Sequence, residues 1–376
     1  MNYSHTPVML KEVIKYLDPY PGQYFIDCTL GGGGYTFALA EKIGPTGKVV
    51  AIDLDQLAIA NAKNIISSQP DLKDNCYTLK TRGVIKNNKF YNDHQIKENK
   101  KTFACALFAT PDLLAQSGGR VVGLAEGNNI ILVHENFKNL SKIVKDLYTK
   151  KKIQSLEFNG IVFDLGLSSA QLQDRTRGFS FQQTGPLDMA FGQVKNNKRS
   201  TSDIVNNWPV KELEHILREY GEERFARLIA QAIISKRKIK PIKTTEELVK
   251  IIEEAVPKKF QYQKIHPATR SFQALRIATN DELNNLEVAL AEANNLLKVS
   301  GKLIVISYHS LEDRIVKNFF KKESKDCLCP PTAIICQCGH QANLKIITKK
   351  VIKASDEEIK NNPRARSAKM RVAVKL

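Results

Sequence analysis

Four consecutive glycines, Gly31-Gly32-Gly33-Gly34, stand between a short apolar run, Tyr24-Phe25-Ile26, and a helix-like stretch from Thr36 to Ile43. Glycine has no Cβ, so the backbone there can take positive φ and lie close against a ligand. A strand, a glycine turn and a helix, in that order, is how an α/β protein presents its backbone to a nucleotide-like molecule. A second apolar run, Lys48-Val49-Val50-Ala51-Ile52, ends in Asp53, about twenty residues further on. A carboxylate there is placed to accept hydrogen bonds from both hydroxyls of a ribose.

The dinucleotide fingerprint needs Gly-x-Gly-x-x-Gly. Counted from Gly32 its third glycine is replaced by Phe37, and counted from Gly31 by Thr36. No Lys-Ser or Lys-Thr follows the glycines, so the phosphate-loop signature fails as well. An adenosine-bearing cofactor without phosphate fits better, and S-adenosyl-L-methionine is the common one. The competing reading is a structural turn with no ligand.

Length and composition allow two domains with large cores. No run approaches the ~18 apolar residues of a membrane helix, and Met1-Asn2-Tyr3-Ser4-His5-Thr6-Pro7 lacks the basic and apolar regions of a secretory signal. Seven cysteines without an export signal point to a reducing cytoplasm. Fifty-seven basic against 39 acidic residues give a net charge of +18, which points to a polyanionic partner. Ten of the basic residues fall within 345–376, which reads as a basic C-terminal tail.

Short apolar runs predict strands at about 24–28, 48–53, 130–134, 160–165 and 302–308. Leu283, Leu286, Leu290, Ala293 and Leu297 form one helical stripe over 281–298, with Asn280 or Asp281 as its cap. Alternating strands and helices predict a mostly parallel sheet covered on both faces. Residues 74–128 interrupt that rhythm as an inserted excursion. From 172 to 270 the stretches Ser202–Ile216, Glu222–Lys236 and Thr245–Ala255 read as helices of an inserted subdomain. The expected division is therefore 1–171 and 271–376 for the sheet, and 172–270 for the helices.

In an open α/β sheet, ligands sit beyond the carboxyl ends of the strands. Asp164, Ser168, Ser169 and Gln171 would then share a crevice with Gly33, Gly34 and Asp53. His309 follows the last of these strands and reads either as a structural histidine or as a catalytic one. Arg175-Thr176-Arg177-Gly178-Phe179-Ser180-Phe181 and His266-Pro267-Ala268-Thr269-Arg270-Ser271-Phe272-Gln273 mix charge with rings, as suits phosphates and unpaired bases. Gly185-Pro186-Leu187-Asp188-Met189 reads as a turn presenting Asp188. Cys327-Leu328-Cys329 and Cys336-Gln337-Cys338, with His340 nearby, offer four thiolates that could hold zinc. Their one-residue spacing is shorter than that of zinc ribbons, and the sequence favours reduced thiols with no metal.

Ser4-His5-Thr6-Pro7-Val8-Met9, Asp27-Cys28-Thr29-Leu30-Gly31-Gly32-Gly33-Gly34-Tyr35, Asp164-Leu165-Gly166-Leu167-Ser168-Ser169, Arg177-Gly178-Phe179-Ser180-Phe181, Tyr220-Gly221-Glu222-Glu223-Arg224-Phe225-Ala226, Ser307-Tyr308-His309-Ser310-Leu311-Glu312-Asp313-Arg314 and Asn362-Pro363-Arg364-Ala365-Arg366-Ser367 occur here in this order. Together with the turn at Gly185 and the patch at His266, they make the chain resemble the MraW/RsmH family, the ribosomal RNA small-subunit methyltransferase H enzymes. The resemblance covers nearly everything outside 74–128. It implies a Rossmann-like S-adenosylmethionine-dependent methyltransferase fold with an inserted helical subdomain that helps bind RNA. It further implies methyl transfer to N4 of a cytidine in the decoding region of the small-subunit (16S) rRNA, within the assembled small ribosomal subunit, in the cytoplasm and away from any membrane. The cofactor positions it carries over are Gly33, Gly34, Tyr35, Asp53, Phe137, Asp164 and Gln171.

Methyl transfer to an exocyclic amine needs the amine aligned with the S–CH₃ bond and an acceptor for its proton. Asp164 or a backbone carbonyl near Leu165-Gly166 is the first candidate, with Ser168 and Ser169 orienting the base. DNA amino-methyltransferases instead carry Asp or Ser, Pro, Pro and an aromatic after the corresponding strand, and here that position reads Asp164-Leu165-Gly166-Leu167. A non-catalytic RNA-binding assembly factor would not need the glycine loop or Asp53. A nicotinamide oxidoreductase would need the missing third glycine.

Overall fold

The computed structural model describes residues 7–68, 84–86, 89–91, 120–121, 129–182, 184–192, 200–261, 265–333 and 335–376. Most of the excursion read at 74–128 lies outside them. Within it, Val84–Lys86 pairs antiparallel with Lys89–Tyr91.

Five apolar runs form parallel strands: β1 Tyr24–Asp27, β2 Lys48–Asp53, β3 Ile130–His134, β4 Phe158–Asp164 and β5 Leu297–Ser307. Two more extend the sheet, β6 Leu344–Ile346 and β7 Lys369–Lys375, with β7 antiparallel to both β5 and β6. The order of the eight-stranded sheet is Arg120–Val121, β3, β2, β1, β4, β5, β7, β6. Ile26 of β1 faces Val50 on one side and Ile161 on the other. The order turns back between β1 and β4, and such a switch opens a crevice at the carboxyl ends of the strands.

Alternate residues of these strands point to opposite faces, and both faces are buried. Phe25, Val49, Ala51 and Val162 pack with α1 Leu10–Leu17, α2 Gly34–Ile43 and α3 Gln56–Ser68. After β3, α4 Leu140–Thr149 covers the other face.

Between β4 and β5 the chain builds helices: α5 Ser169–Gln173, α6 Thr201–Asn207, α7 Val210–Glu219, α8 Ala226–Ile239, α9 Thr245–Ala255 and α10 Ala268–Asn280. Ile204, Leu213, Ile229, Leu248 and Phe272 belong to a core separate from the two sheet faces. The single helix expected over 202–216 is two helices. Pro209 has no N–H and drives Trp208 before it into extended backbone. Thr244 and Glu247 form a reciprocal capping box at the start of α9.

The chain then returns as α11 Glu282–Leu296 and α12 Ser310–Glu323, which join α4 on the face opposite α1–α3. Neither residue proposed as the cap of α11 acts through its side chain as the expected N-cap. Asp281 takes a left-handed φ of 52°, ends α10 and starts α11 without a side-chain cap bond. β5 begins at Leu297, immediately after the helix, so the stripe residue Leu297 belongs to the strand. The basic tail is also structural: β7 buries Met370, Val372 and Ala373, and Arg371 forms a bidentate pair with Asp313 at 2.7 and 3.1 Å. Among the described residues, no helix is long and apolar enough to cross a membrane.

Candidate active site

The carboxyl ends of β1, β2, β4 and β5 surround a crevice. Its wall includes Thr29, Gly31, Asp53, Phe137, Asp164, Gly166, Ser168, Gln171 and Tyr308 from the sheet side. Phe191, Asn280 and Glu282 close it from the side of the helical insertion.

The glycine turn is wired to both acidic strand ends. The Gly31 N–H donates to Asp53 Oδ2 and the Asp55 N–H to Asp53 Oδ1, each at 2.8 Å. The Asp164 N–H donates to Thr29 Oγ1 at 2.7 Å. Beneath them Asp27 is fully buried, accepting from Thr36 Oγ1 at 2.7 Å and from the Thr29 N–H at 3.1 Å. Gly31 has a φ of +47°, and it is the glycine of the run that joins the wall together with its Asp53 bond.

Gly33, Gly34 and Tyr35 do not line the crevice. Gly33 has a φ of +82°, and a Cβ there would meet the Phe37 ring at 2.4 Å; one on Gly34 would meet Pro7 at 2.5 Å. Their bareness lets the chain pack on itself. Tyr35 is buried, and its hydroxyl donates to the Val8 carbonyl and, at 3.3 Å, to Asp164 Oδ2.

Asp164 carries a second phenol. Tyr308 Oη donates to Asp164 Oδ1 at 2.7 Å. Burial pushes the Asp164 carboxyl up to about 7, against the hydrogen bonds from Tyr308 and Tyr35. Burial likewise pushes Asp53 up to about 6, with the Asp55 and Gly31 N–H groups opposing. Phe137 sits on the short turn after β3, edge-on to Phe163 with centroids 5.7 Å apart. Asn136 fixes that turn by accepting from the Lys138 N–H at 2.9 Å.

Ser168 and Gln171 have structural partners. Ser168 caps α5: its Oγ accepts from the Gln171 N–H at 3.2 Å, while Gln171 Oε1 accepts from the Ser168 N–H at 2.9 Å. Gln171 Nε2 then donates to Asp55 at 3.0 Å. Ser169 opens the helix, and its side chain lies outside the described residues. His309 is the cap of α12 and lies outside the wall; its Nε2 stands 3.1 Å from Glu312 Oε1. Glu312, which does line the crevice, accepts from the Tyr308 N–H at 2.9 Å. Burial works to raise the Glu312 carboxyl, but His309 and Arg276 hold it below its ordinary range.

The insertion is bolted to the crevice at two points. Arg177 bonds Asp55 at 2.5 Å and the carbonyls of Ala190 and Phe191 at 2.8 and 2.7 Å. Asn280 accepts from the Phe191 N–H at 2.9 Å and donates to the Met189 carbonyl at 2.8 Å. Asp188 lies outside the wall, and its carbonyl accepts from Thr201 Oγ1 at 2.9 Å. Two basic-aromatic patches converge: Phe181 stacks on His266 with centroids 5.0 Å apart and meets Phe272 edge-on at 5.5 Å. As site residues, Tyr308, Asp55 and Glu282 do not stand out in the sequence, and Asn280 reads there only as a helix cap. Tyr308 was visible beside His309, but only the fold shows which of the two reaches Asp164.

The donor set tests the cofactor. Among the described residues the wall holds four carboxylates, Asp53, Asp164, Glu282 and Glu312, and no lysine or arginine. A pyrophosphate would find no cation there, whereas a sulfonium finds complementary charge. Phe137 offers an aromatic surface and Asp53 a ribose acceptor. The residues present fit an adenosyl sulfonium.

A Rossmann-like sheet with this acidic crevice defines an α/β methyltransferase. The MraW methylase family matches the chain over residues 2–101 and 97–376. The chain belongs to that family, and its cofactor is S-adenosyl-L-methionine. It is 42% identical, over all of its length and 88% of the relative's, to ribosomal RNA small subunit methyltransferase H of Dehalococcoides mccartyi. It is 39% identical to the protein of that name from Heliobacterium mobile, over the whole of both chains. It is 37% identical to that from Brevibacillus brevis, over 100% of this chain and 99% of the relative. A putative rRNA-methylase structure from Clostridium thermocellum aligns over 99% of this chain and all of that one, at 11% identity and a TM-score of 0.39.

Proposed function

We propose that this enzyme methylates N4 of a cytidine in the decoding region of the small-subunit rRNA, acting on the assembled small subunit. The position of Asp164 carries the reading: a carboxylate at the crevice end of β4, held by two phenols in the same crevice wall as Asp53. The relatives named above support an RNA substrate, as does the net charge of +18.

When bound, S-adenosylmethionine supplies an electrophilic methyl on a sulfonium. Asp53 would hold its ribose and Phe137 its adenine, with Gly31 and Gln171 shaping the walls around them. The cytosine amine is a poor nucleophile because its lone pair is delocalised into the ring. Asp164 accepts a hydrogen bond from N4–H, returning electron density to nitrogen and fixing the amine's direction. Transfer of that methyl would leave a neutral thioether and a cationic N4, whose proton Asp164 or water would take. A carboxyl near 7 is matched to that proton transfer at neutral pH. Ser168 and Ser169 orient the base, which reaches the crevice only when unpaired or flipped.

Nucleoside mass spectrometry of small-subunit rRNA from cells lacking the protein tests the substrate. Loss of N4-methylcytidine, restored by the wild-type chain and not by Asp164→Ala, is expected. Normal levels in the deletion strain would refute the assignment.

A further inference from the structure

Between α12 and β6 the chain runs through residues 324–343. Among the described residues of this stretch none is buried, and none lies in a helix or strand. A stretch of this length with neither core nor ladder needs another source of order. The structure brings four sulfurs together inside it. The Sγ atoms of Cys327, Cys329, Cys336 and Cys338 all lie within 4.8 Å of one another. Cys327 is 3.4 Å from Cys336 and 3.7 Å from Cys338, and Cys336 is 3.6 Å from Cys338.

These separations are too long for disulfides and are near the edge of a zinc tetrathiolate. Zn–S bonds of about 2.3 Å at tetrahedral angles put sulfurs about 3.8 Å apart. The surrounding backbone also favours thiolates. The Leu328 N–H donates to Cys338 Sγ and the Gln337 N–H to Cys329 Sγ, both at 3.3 Å, and the Cys329 N–H donates to Cys327 Sγ at 3.4 Å. Backbone donors aimed at sulfur are what orient ligands around a metal. His340 is turned elsewhere, with Nε2 3.2 Å from the Lys322 carbonyl.

We propose that Cys327, Cys329, Cys336 and Cys338 bind one structural zinc ion that orders the segment joining α12 to β6. The one-residue spacing within each pair argues against a zinc ribbon but not against this site, because the two pairs approach each other from opposite sides of a turn. Four S–H bonds give way to four Zn–S bonds, and the protons go to solvent. With all four ligands from protein, the ion has no open position and takes no part in methyl transfer.

Elemental analysis of the full chain, expressed with added zinc and purified without chelator or histidine tag, tests the site. About one zinc per chain is expected. The pairs Cys327→Ser with Cys338→Ser, and Cys329→Ser with Cys336→Ser, should each fall below about a tenth of an equivalent, while His340→Ala keeps its metal. Cobalt exchanged into wild type should give the visible absorption of a tetrahedral tetrathiolate, a readout that holds even if the serine variants misfold. Wild type with under about a tenth of an equivalent and no such absorption would overturn the site. So would zinc retained in both serine pairs, zinc lost from His340→Ala, iron in place of zinc, or disulfides among the four cysteines.

Discussion

Tyr308 Oη donates to Asp164 Oδ1 at 2.7 Å, joining the carboxyl ends of the neighbouring strands β5 and β4 in the crevice wall. Tyr308→Phe removes a hydrogen bond that favours the ionised carboxylate, so the Asp164 carboxyl moves further up. One hydrogen bond to a charged group contributes about 1.5–3 kcal/mol, so the methyl-transfer rate at pH 7 should drop about 10- to 100-fold. The pH–rate profile, measured in single turnover with cofactor saturating, should shift to higher pH. An unmoved profile would separate Tyr308 from the chemistry.

Asp164→Ala should lose more rate than any change at Ser168, whose hydroxyl is engaged in capping α5. With cofactor saturating, we expect a loss of at least about 100-fold for Asp164→Ala, and for Ser168→Ala a smaller loss with some destabilisation of about 1 kcal/mol. Wild-type turnover by Asp164→Ala would end its assignment as proton acceptor.

Asp53 and Asp164 respond to pH with a defined sign. Burial raises both in the folded chain, to about 6 and about 7. Each therefore contributes stability that is fully present below its unfolded value of about 3.9 and lost as pH rises through its folded one. A bound sulfonium favours the ionised forms and reverses the trend. Affinity for S-adenosylmethionine should rise about tenfold between about pH 5.5 and 7.5, and affinity for its neutral thioether product should rise less. Parallel slopes in calorimetric titrations would show that the wall does not sense the charge.

Asp53→Ala should weaken cofactor binding about 10- to 100-fold while leaving turnover at saturation close to wild type, the mark of uniform binding. The Gly31 and Asp55 N–H groups lose their acceptor in this variant, so Asp53→Asn, which keeps one oxygen, should recover part of the affinity. Titration of both variants checks this; a kcat effect without an affinity effect would move Asp53 into the chemistry.

Arg177→Ala leaves Asp55, only 7% exposed at its side chain, without its guanidinium. Removing one partner of a buried pair costs about 3–5 kcal/mol. Denaturant unfolding should show that loss, and cofactor affinity should fall with it because Gln171 shares Asp55. A stability change under about 0.5 kcal/mol would mean that the insertion is held by its other contacts.

The parallel strands were legible because each is a short apolar run ending at a polar residue, as in Val49 to Asp53. β7 was not. Lys369, Arg371 and Lys375 interrupt its apolar residues, and only pairing with β5 shows that Met370 and Val372 alternate inward. The acid at the end of β4 could be found from strand order alone. Its phenol partners could not, because Tyr35 and Tyr308 lie 129 and 144 residues from Asp164 in the chain. The glycine run drew attention to the correct turn, yet Gly33 and Gly34 answer to Phe37 and Pro7, a packing demand that sequence does not display.

The two bolts at Arg177 and Asn280 make Phe191 a shared part, since its carbonyl and its N–H are gripped from opposite ends of the helical insertion while its side chain walls the crevice. One wall of the crevice is therefore a piece of main chain pinned on both sides, and loosening either pin frees that wall without touching the sheet.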